Sequence, residues 1–354
     1  MSQTVLVAMS GGVDSSVAAL LLLQQGYRVV GVTLRLHDSC GSPGAKRCCG
    51  LEDTFDAREV ARALGIEHRV LEHQEAFRRL VVKPFVEAYA RGETPNPCIL
   101  CNERVKFGTL WEYARELGAA WVATGHHARM VHGDGPSRLK RGRDPAKDQS
   151  YVLFPLTEQQ RGRTLLPVGE WTKEEIRAKA RGLGLVTADK PESQDICFVG
   201  PAGYAEVVER ELETFRPGIV RYLDGRPLGA HTGIHRFTVG QRRGLAIPWS
   251  EALYVTAIDA EAAEVTVGPK EALGVRRFVV GDWIWHAAEG ERPAEAWVQV
   301  RYHQPPQRAR LVEAGEAVMI EWLDGAGAVT PGQAAVAYLG ETVVGGGWIR
   351  GRVA

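Results

Sequence analysis

The stretch Ser10-Gly11-Gly12-Val13-Asp14-Ser15-Ser16 constrains this chain more than any other. It follows an apolar run over residues 4–9 and opens a helix-like run over 17–25, so it reads as a buried strand, a tight glycine turn and a helix N-terminus. That junction aims free backbone N–H groups and the positive end of a helix dipole at one point, which suits phosphate. The string lacks the Gly-Lys-Ser/Thr ending of a Walker loop and the G-x-G-x-x-G spacing of a dinucleotide site. A plain glycine turn, N-capped by Asp14 or Ser15, is the competing local reading.

Around this string the chain alternates strand and helix at the spacing of a doubly wound α/β domain. Residues 27–36 read as a second strand, 51–64 as a helix closed by Gly65, and 66–71 as a third strand. Residues 77–89 and 105–117 read as further helices, the latter ended by Gly118, before an apolar strand over 119–123. Thr172 and Glu175 have the spacing of a capping box, which predicts a helix through about Ala180. After Cys197 the texture changes: 201–212 suits one helix, and beyond Pro217 short alternating segments follow one another between turns. Strands are expected at 278–285, 297–302, 317–322, 334–338 and 342–349, the last bent at Gly345-Gly346-Gly347. The expected domains are 1–200 (α/β), 201–271 (small, mostly β) and 272–354 (a β-barrel).

With 354 residues, 45% hydrophobic and 24% charged, the chain is long enough for two or three cored domains and is not disordered in composition. No apolar stretch approaches the roughly 20 residues that span a bilayer, and the N-terminus lacks a signal-peptide pattern. A cytoplasmic protein with no membrane partner is therefore expected. The formal net charge is zero, so any nucleic-acid surface must come from local clusters. Arg138, Lys140, Arg141, Arg143 and Lys147 form one basic run, and Arg236, Arg242 and Arg243 another; either also suits an ordinary solvated face.

All six cysteines fall in the first 200 residues, at Cys40, Cys48, Cys49, Cys98, Cys101 and Cys197, which points to catalysis or metal more than to structural disulfides. In Thr94-Pro95-Asn96-Pro97-Cys98-Ile99-Leu100-Cys101-Asn102, two prolines fix an irregular loop ahead of a helix, and a helix N-terminus stabilises a thiolate. The C-x-x-C pair fits a redox dithiol, half a zinc site or part of an iron–sulfur site, but no second pair completes a tetrahedral zinc set. Cys197, in Glu192-Ser193-Gln194-Asp195-Ile196-Cys197-Phe198, reads on its own as a buried small hydrophobe. Cys48-Cys49 sits in a glycine-rich loop after the second strand and receives no role.

The first string resembles the SGGxDS loop of the ATP pyrophosphatase (PP-loop) superfamily, whose members adenylate a carbonyl oxygen and release pyrophosphate. The strings SGGVDSS, TPNPCILCN and SQDICF, taken in order, resemble those of the tRNA-specific 2-thiouridylases, almost end to end. Further matches are Ala123-Thr124-Gly125-His126, Lys147-Asp148-Gln149-Ser150-Tyr151, Arg301-Tyr302 and Thr330-Pro331-Gly332-Gln333, with 237–244.

The resemblance implies a PP-loop (HUP-like) α/β catalytic domain followed by a mostly-β domain and a β-barrel. It implies ATP-dependent replacement of the C2 oxygen of the wobble uridine (position 34) by sulfur in tRNAs for lysine, glutamate and glutamine. ATP would lie against Ala8, Met9, Ser10, Gly11, Gly12, Val13, Ser15, Ser16, Leu34 and Gly125, with Asp14 placing Mg2+. Cys197 would bear a persulfide from a cysteine desulfurase relay or a sulfur-carrier protein, and Cys101 would be its nucleophilic partner, closing a disulfide. Asn96, Pro97, Cys98, His126, Lys147, Asp148, Gln149, Arg301, Tyr302 and Gln333 would meet tRNA or the target base. Some relatives carry aspartate where this chain has Cys98, so an acid or base role there does not transfer. A second route in the family is a 4Fe-4S cluster, for which Cys98, Cys101 and Cys197 would be an all-thiolate set. Another PP-loop adenylating ligase, and a non-catalytic nucleotide- or RNA-binding protein, are the alternatives.

Overall fold

The computed structural model describes residues 2–37, 51–191, 196–212 and 214–352. The chain forms two compact units, one made of Met1–Val81, Pro97–Pro201 and Glu341–Val343, the other of Val82–Asn96, Ala202–Gly340 and Val344–Ala354.

The first unit begins with strand β1 (Thr4–Ala8), helix α1 (Val13–Gln24), β2 (Arg28–Arg35), α2 (Leu51–Leu64) and β3 (Glu67–Glu72). Next come α3 (Gln74–Phe77) and a π-helical turn over Arg78–Val82, after which the chain passes into the second unit as α4 (Lys83–Ala90), so the expected continuous helix over 77–89 is interrupted. A second π turn, Cys101–Lys106, joins α5 (Pro97–Leu100) to α6 (Phe107–Glu116). Then follow β4 (Trp121–Ala123), a hairpin of β5 (Ala128–Val131) and β6 (Arg138–Arg141), α7 (Glu158–Arg161), β7 (Thr164–Leu165) and α8 (Lys173–Gly182). Five parallel strands lie in the order β3-β2-β1-β4-β7. β1 is central, and its Val5, Leu6 and Val7 are fully buried, as a strand covered on both faces requires. Val5 and Val7 share a core with Val17 and Leu21 of α1, Ala57 and Val60 of α2, and Ile176 and Ala180 of α8. The capping box at Thr172 and Glu175 is present and starts α8, as the spacing predicts.

The second unit includes α4 and α9 (Tyr204–Glu211), whose Tyr89 and Tyr204 rings stack at 4.5 Å. A four-stranded sheet follows, built from β8 (Gly218–Tyr222), β9 (Pro227–His231), β10 (Tyr254–Asp259) and β11 (Glu264–Gly268) in the order β10-β11-β8-β9. After the short β12 (Gly274–Val275) come β13 (Arg277–Trp285), β14 (Glu295–Gln299), β15 (Gln307–Ala314), β16 (Ala317–Trp322), β17 (Gly327–Ala328), β18 (Ala334–Leu339) and β19 (Thr342–Arg352). Six of these close into a barrel in the order β13-β16-β15-β14-β18-β19, with β13 pairing back onto β19. β14 stops at Gln299, so Arg301 and Tyr302 stand in the turn that follows instead of in the strand expected over 297–302. The triple glycine of β19 faces a register break in β13: a Cβ on Gly347 would stand 2.6 Å from the Gly281 carbonyl oxygen, and one on Gly345 2.7 Å from Trp283 Nε1. Close approach of two strands, not only a bend, is what requires glycine there.

Candidate active site

The phosphate loop leaves the C-terminal edge of the parallel sheet, where open α/β sheets bind ligands. Ala8 ends β1, Met9 is tied to β2 by its N–H to the Val32 carbonyl (2.8 Å), and Leu34 lies buried near the end of β2. Gly11 turns the chain with φ +70, and a Cβ there would stand 2.2 Å from the Asp53 carbonyl oxygen of α2, so only glycine fits. Gly12 is the N-cap of α1, and having no side chain it leaves the first-turn amides open to an anion. The serines hold the loop's shape: Ser15 Oγ donates to the Gly12 carbonyl (3.0 Å) and accepts from Ser10 N (3.2 Å), and Ser16 Oγ donates to the same carbonyl (2.9 Å). Gly125 closes the far side, where a Cβ would lie 2.5 Å from Ser15 N.

Asp14 does not cap the helix. Its carboxylate receives both 2.7 Å contacts of Lys173 Nζ, from the first turn of α8, and a 3.1 Å hydrogen bond from His127 Nε2. Lys173 and His127 are 7% and 3% exposed. Burial pulls the Asp14 carboxyl upward, but the His127 hydrogen bond and the Lys173 charge outweigh it and hold the group below the usual carboxylate range. Neither partner was assigned a role from sequence. Lys173 is 159 residues from Asp14, and no local pattern marks it.

His126 lies beside this pair, buried, with Nδ1 2.7 Å from Thr124 Oγ1 and its ring stacked on Phe107 at 6.2 Å. Burial first, then the charge of Lys106, push its pKa well below the ordinary histidine value, so it is neutral at neutral pH. Lys147 lines a cavity of about 500 Å³ together with Arg143, Asp144, Lys173 and Arg177. Asp148 and Gln149 face inward. Asp148 accepts from Gly142 N (3.0 Å), Ser150 N (3.0 Å), Ser150 Oγ (3.0 Å) and Arg141 Nη1 (2.9 Å), and Gln149 Oε1 accepts from His127 N (2.9 Å).

Of the cysteines, Cys98 is exposed and Cys101 buried, three residues apart where α5 passes into the π turn. Pro97 begins α5, and Asn102 fixes the π turn by donating from Nδ2 to the Val152 carbonyl at 3.1 Å. Isolated π turns interrupt α-helices mostly at functional sites. Cys197 is half-buried, not a core residue, and its neighbour Phe198 packs edge-on against Phe77 at 5.7 Å. Ser193, Gln194, Asp195 and the loop with Cys40, Cys48 and Cys49 lie outside the described residues. Among the described residues no group of three or more His, Cys, Asp or Glu side chains is placed to hold a metal ion, so Cys98, Cys101 and Cys197 are not gathered as a cluster set. Among the same residues no helix is long and apolar enough to cross a membrane.

In the second unit the turn Thr330-Pro331-Gly332-Gln333 packs on residues 93–94, ahead of Asn96. Gln333 is buried and donates to the Thr94 carbonyl at 2.7 Å, and Thr94 N donates to the Pro331 carbonyl at 2.8 Å. Arg301 is exposed with Nη2 3.1 Å from Thr330 Oγ1, and the Tyr302 ring lies 3.9 Å from that of His303.

Three family models match in succession: "tRNA methyl transferase HUP domain" over residues 3–201, "tRNA methyl transferase PRC-barrel domain" over 205–269 and "Aminomethyltransferase beta-barrel domain" over 275–349. The tRNA-specific 2-thiouridylase MnmA of Rickettsia massiliae is 46% identical over 98% of this chain and 96% of its own. That of Parvibaculum lavamentivorans is 48% identical over 98% of this chain and 90% of its own. The chain belongs to the tRNA-specific 2-thiouridylase family. The doubly wound HUP domain, the central PRC-barrel and the C-terminal β-barrel of this family account for both compact units.

Proposed function

We propose that this chain is an ATP-dependent tRNA-uridine 2-sulfurtransferase. The observation that carries the reading is the phosphate loop itself, an uncapped α1 N-terminus on a serine-braced glycine turn, in a chain of this family. The C2 carbonyl of uracil is a poor electrophile, so its oxygen must first become a leaving group. Attack of that oxygen on the α-phosphorus of ATP forms the O–P bond, and the electron pair leaves on pyrophosphate. The α1 amides and the loop amides are aimed where that negative charge collects. Ser10, Gly11, Gly12, Val13, Ser15 and Ser16 surround it, with Ala8, Met9, Leu34 and Gly125 at the sheet edge for the nucleoside. Magnesium arriving with ATP would be held by phosphate oxygens and would neutralise their charge; Asp14, whose carboxylate is occupied by Lys173 and His127, would reach it only by giving up one of those partners.

Sulfur then arrives as a Cys197 persulfide. Its terminal sulfur attacks C2, the C2–O bond breaks, and AMP departs. The Cys101 thiolate attacks Cys197 Sγ, a Cys101–Cys197 disulfide forms, and the S–S electron pair stays on the sulfur now bonded to C2, which gives 2-thiouridine. A thiol reductant returns the disulfide to two thiols. The steps written here use the two thiols alone; a 4Fe-4S cluster on Cys98, Cys101 and Cys197 is the other route, and the assay with iron-free protein distinguishes the two. The tRNA is that for lysine, glutamate or glutamine, with its wobble base splayed from the loop. Asn96, Pro97, Cys98, His126, Lys147, Asp148, Gln149, Arg301, Tyr302 and Gln333 serve the tRNA side, Asp148, Gln149 and His126 by holding backbone and loop shape. The sulfur donor is a cysteine desulfurase relay or a carrier protein.

The test is mass spectrometry of nucleosides from a lysine tRNA transcript incubated anaerobically with iron-free protein, ATP, Mg2+ and a persulfide donor. 2-Thiouridine is expected with wild type and none with Cys197→Ser. Product from Cys197→Ser would remove the role given to that thiol, and no product from wild type under any donor would refute the reading.

A further inference from the structure

The segment that carries Cys197 is rooted by a set of contacts that the chemistry above does not use. Lys190 lies seven residues before that cysteine, and its Nζ is held between two carboxylates one turn apart on α2: Asp53 Oδ1 at 2.6 Å, and Asp56. The Asp53 side chain is 8% exposed and that of Lys190 24%. The backbone around Lys190 is held from the other side by Arg177 of α8, whose Nη1 donates to the Ala188 carbonyl (2.8 Å) and Nη2 to the Lys190 carbonyl (3.0 Å). Three residues earlier, the buried Thr187 Oγ1 donates to Ser16 Oγ of the phosphate loop at 3.1 Å. Asp53 itself backs directly onto Gly11, at a spacing that admits no side chain. Residues 187–190 are thus pinned to the phosphate loop, to α8 and to α2 at once.

We propose that Lys190 is a positioning residue for sulfur transfer: it fixes the root of the Cys197 segment against the same α2 turn that backs the phosphate loop. The inference rests on the sulfurtransferase reading. The base to be attacked is bonded to an α-phosphate whose place the loop sets, so the sulfur must be located relative to that loop, and misplacement by about 1 Å is enough to cost roughly 100-fold in such a step. A tether serving stability alone could be apolar, since a partly buried ion pair repays its desolvation poorly. One ammonium between two carboxylates instead sets a direction. Without the ammonium, Asp53 and Asp56 repel each other, and α2 loses its hold on residues 187–190.

The experiment compares wild type, Lys190→Met and Lys190→Arg in three assays: tRNA-dependent pyrophosphate release, 2-thiouridine formation, and the alkylation rate of Cys197 relative to Cys101 by peptide mass spectrometry. For Lys190→Met, pyrophosphate release and the ATP KM are expected within about 2-fold of wild type, while the kcat for thiolation falls about 10-fold or more. Its Cys197 alkylation rate should change at least about 3-fold with Cys101 unchanged, and Lys190→Arg should recover thiolation to within about 3-fold. Thiolation by Lys190→Met at the wild-type rate overturns the proposal, as does an equal loss of pyrophosphate release and thiolation, which is the pattern of a fold defect. Should Lys190→Met not fold, Asp56→Asn removes one acceptor and must show the same split at smaller amplitude. If wild type forms no 2-thiouridine, the sulfurtransferase reading fails, whereas the alkylation comparison still decides whether Lys190 places Cys197.

Discussion

Replacing Gly125 by alanine tests how tightly the sheet edge sets the phosphate loop. The new Cβ would stand 2.5 Å from Ser15 N, 2.7 Å from Asp14 C and 2.9 Å from Ser15 Cα, all backbone atoms that cannot rotate aside. Ordinary contact begins at 3.4 Å, so the loop and the end of β4 must part by about 0.9 Å. The Ser15 Oγ–Gly12 bond lies within the loop and moves with it, whereas the 2.7 Å contact between Asp14 and Lys173 of α8 does not survive a displacement of that size. The expected stability loss is about 1–3 kcal/mol, as for other overpacked sites. The expected kinetic loss is larger, about 100-fold in tRNA-dependent pyrophosphate release, because the α-phosphate moves by nearly 1 Å from its place of reaction. Gly118→Ala is the control: it also introduces a methyl group, at φ +64 but with no atom within 4 Å, so it should cost about 1–2 kcal/mol in strain and leave the rate per folded molecule unchanged. Urea denaturation and a coupled pyrophosphate assay measure both. Pyrophosphate release by Gly125→Ala within 3-fold of wild type would refute the claim that this contact shapes the loop.

Lys173→Met should leave the Asp14 carboxylate with His127 alone in a part-buried site; a loss of about 1–3 kcal/mol in urea denaturation is expected, at the low end because Asp14 keeps some solvent contact. Asp148→Ala strips four donors of their acceptor and should destabilise the first unit by about 3 kcal/mol in the same assay; a change below about 0.5 kcal/mol would contradict the inward placement. His126 titrates below its unfolded value of about 6.5, so the unfolded chain gains a proton there that the folded chain refuses. Stability should therefore fall as pH drops below about 6.5, by up to about 1.4 kcal/mol per unit, and His126→Gln should flatten that slope. Asp14 has the opposite kind of shift for its charge: its pKa is lowered, so its contribution is complete above about pH 4 and is lost only as pH falls through the folded value, which separates the two effects in a pH series of denaturation midpoints.

Much of this protein is written locally. The strand–glycine–helix junction at residues 4–25 needs only nearest neighbours: an apolar run, two glycines and small hydroxyl residues determine both the turn and its appetite for phosphate. The helix over 51–64, from leucine to leucine, and the Thr172–Glu175 box likewise follow from periodicity and from contacts within one turn. The helix expected over 105–117 is present as α6, but local rules missed the π turn that precedes it and the one that interrupts 77–89, because a π turn keeps the apolar period while shifting the register, and only packing such as Asn102 on Val152 reveals it. The polar network is tertiary throughout. Lys173 reaches Asp14 across 159 residues and Lys190 reaches Asp53 across 137, so each is an unremarkable surface cation until the sheet brings α1, α2 and α8 together. The same folding gives Asp148 and Gln149 their internal partners, which the sequence string by itself does not show. Spacing along a chain encodes what meets within a turn or a hairpin, whereas the partner of a buried charge is chosen by the topology that desolvates both.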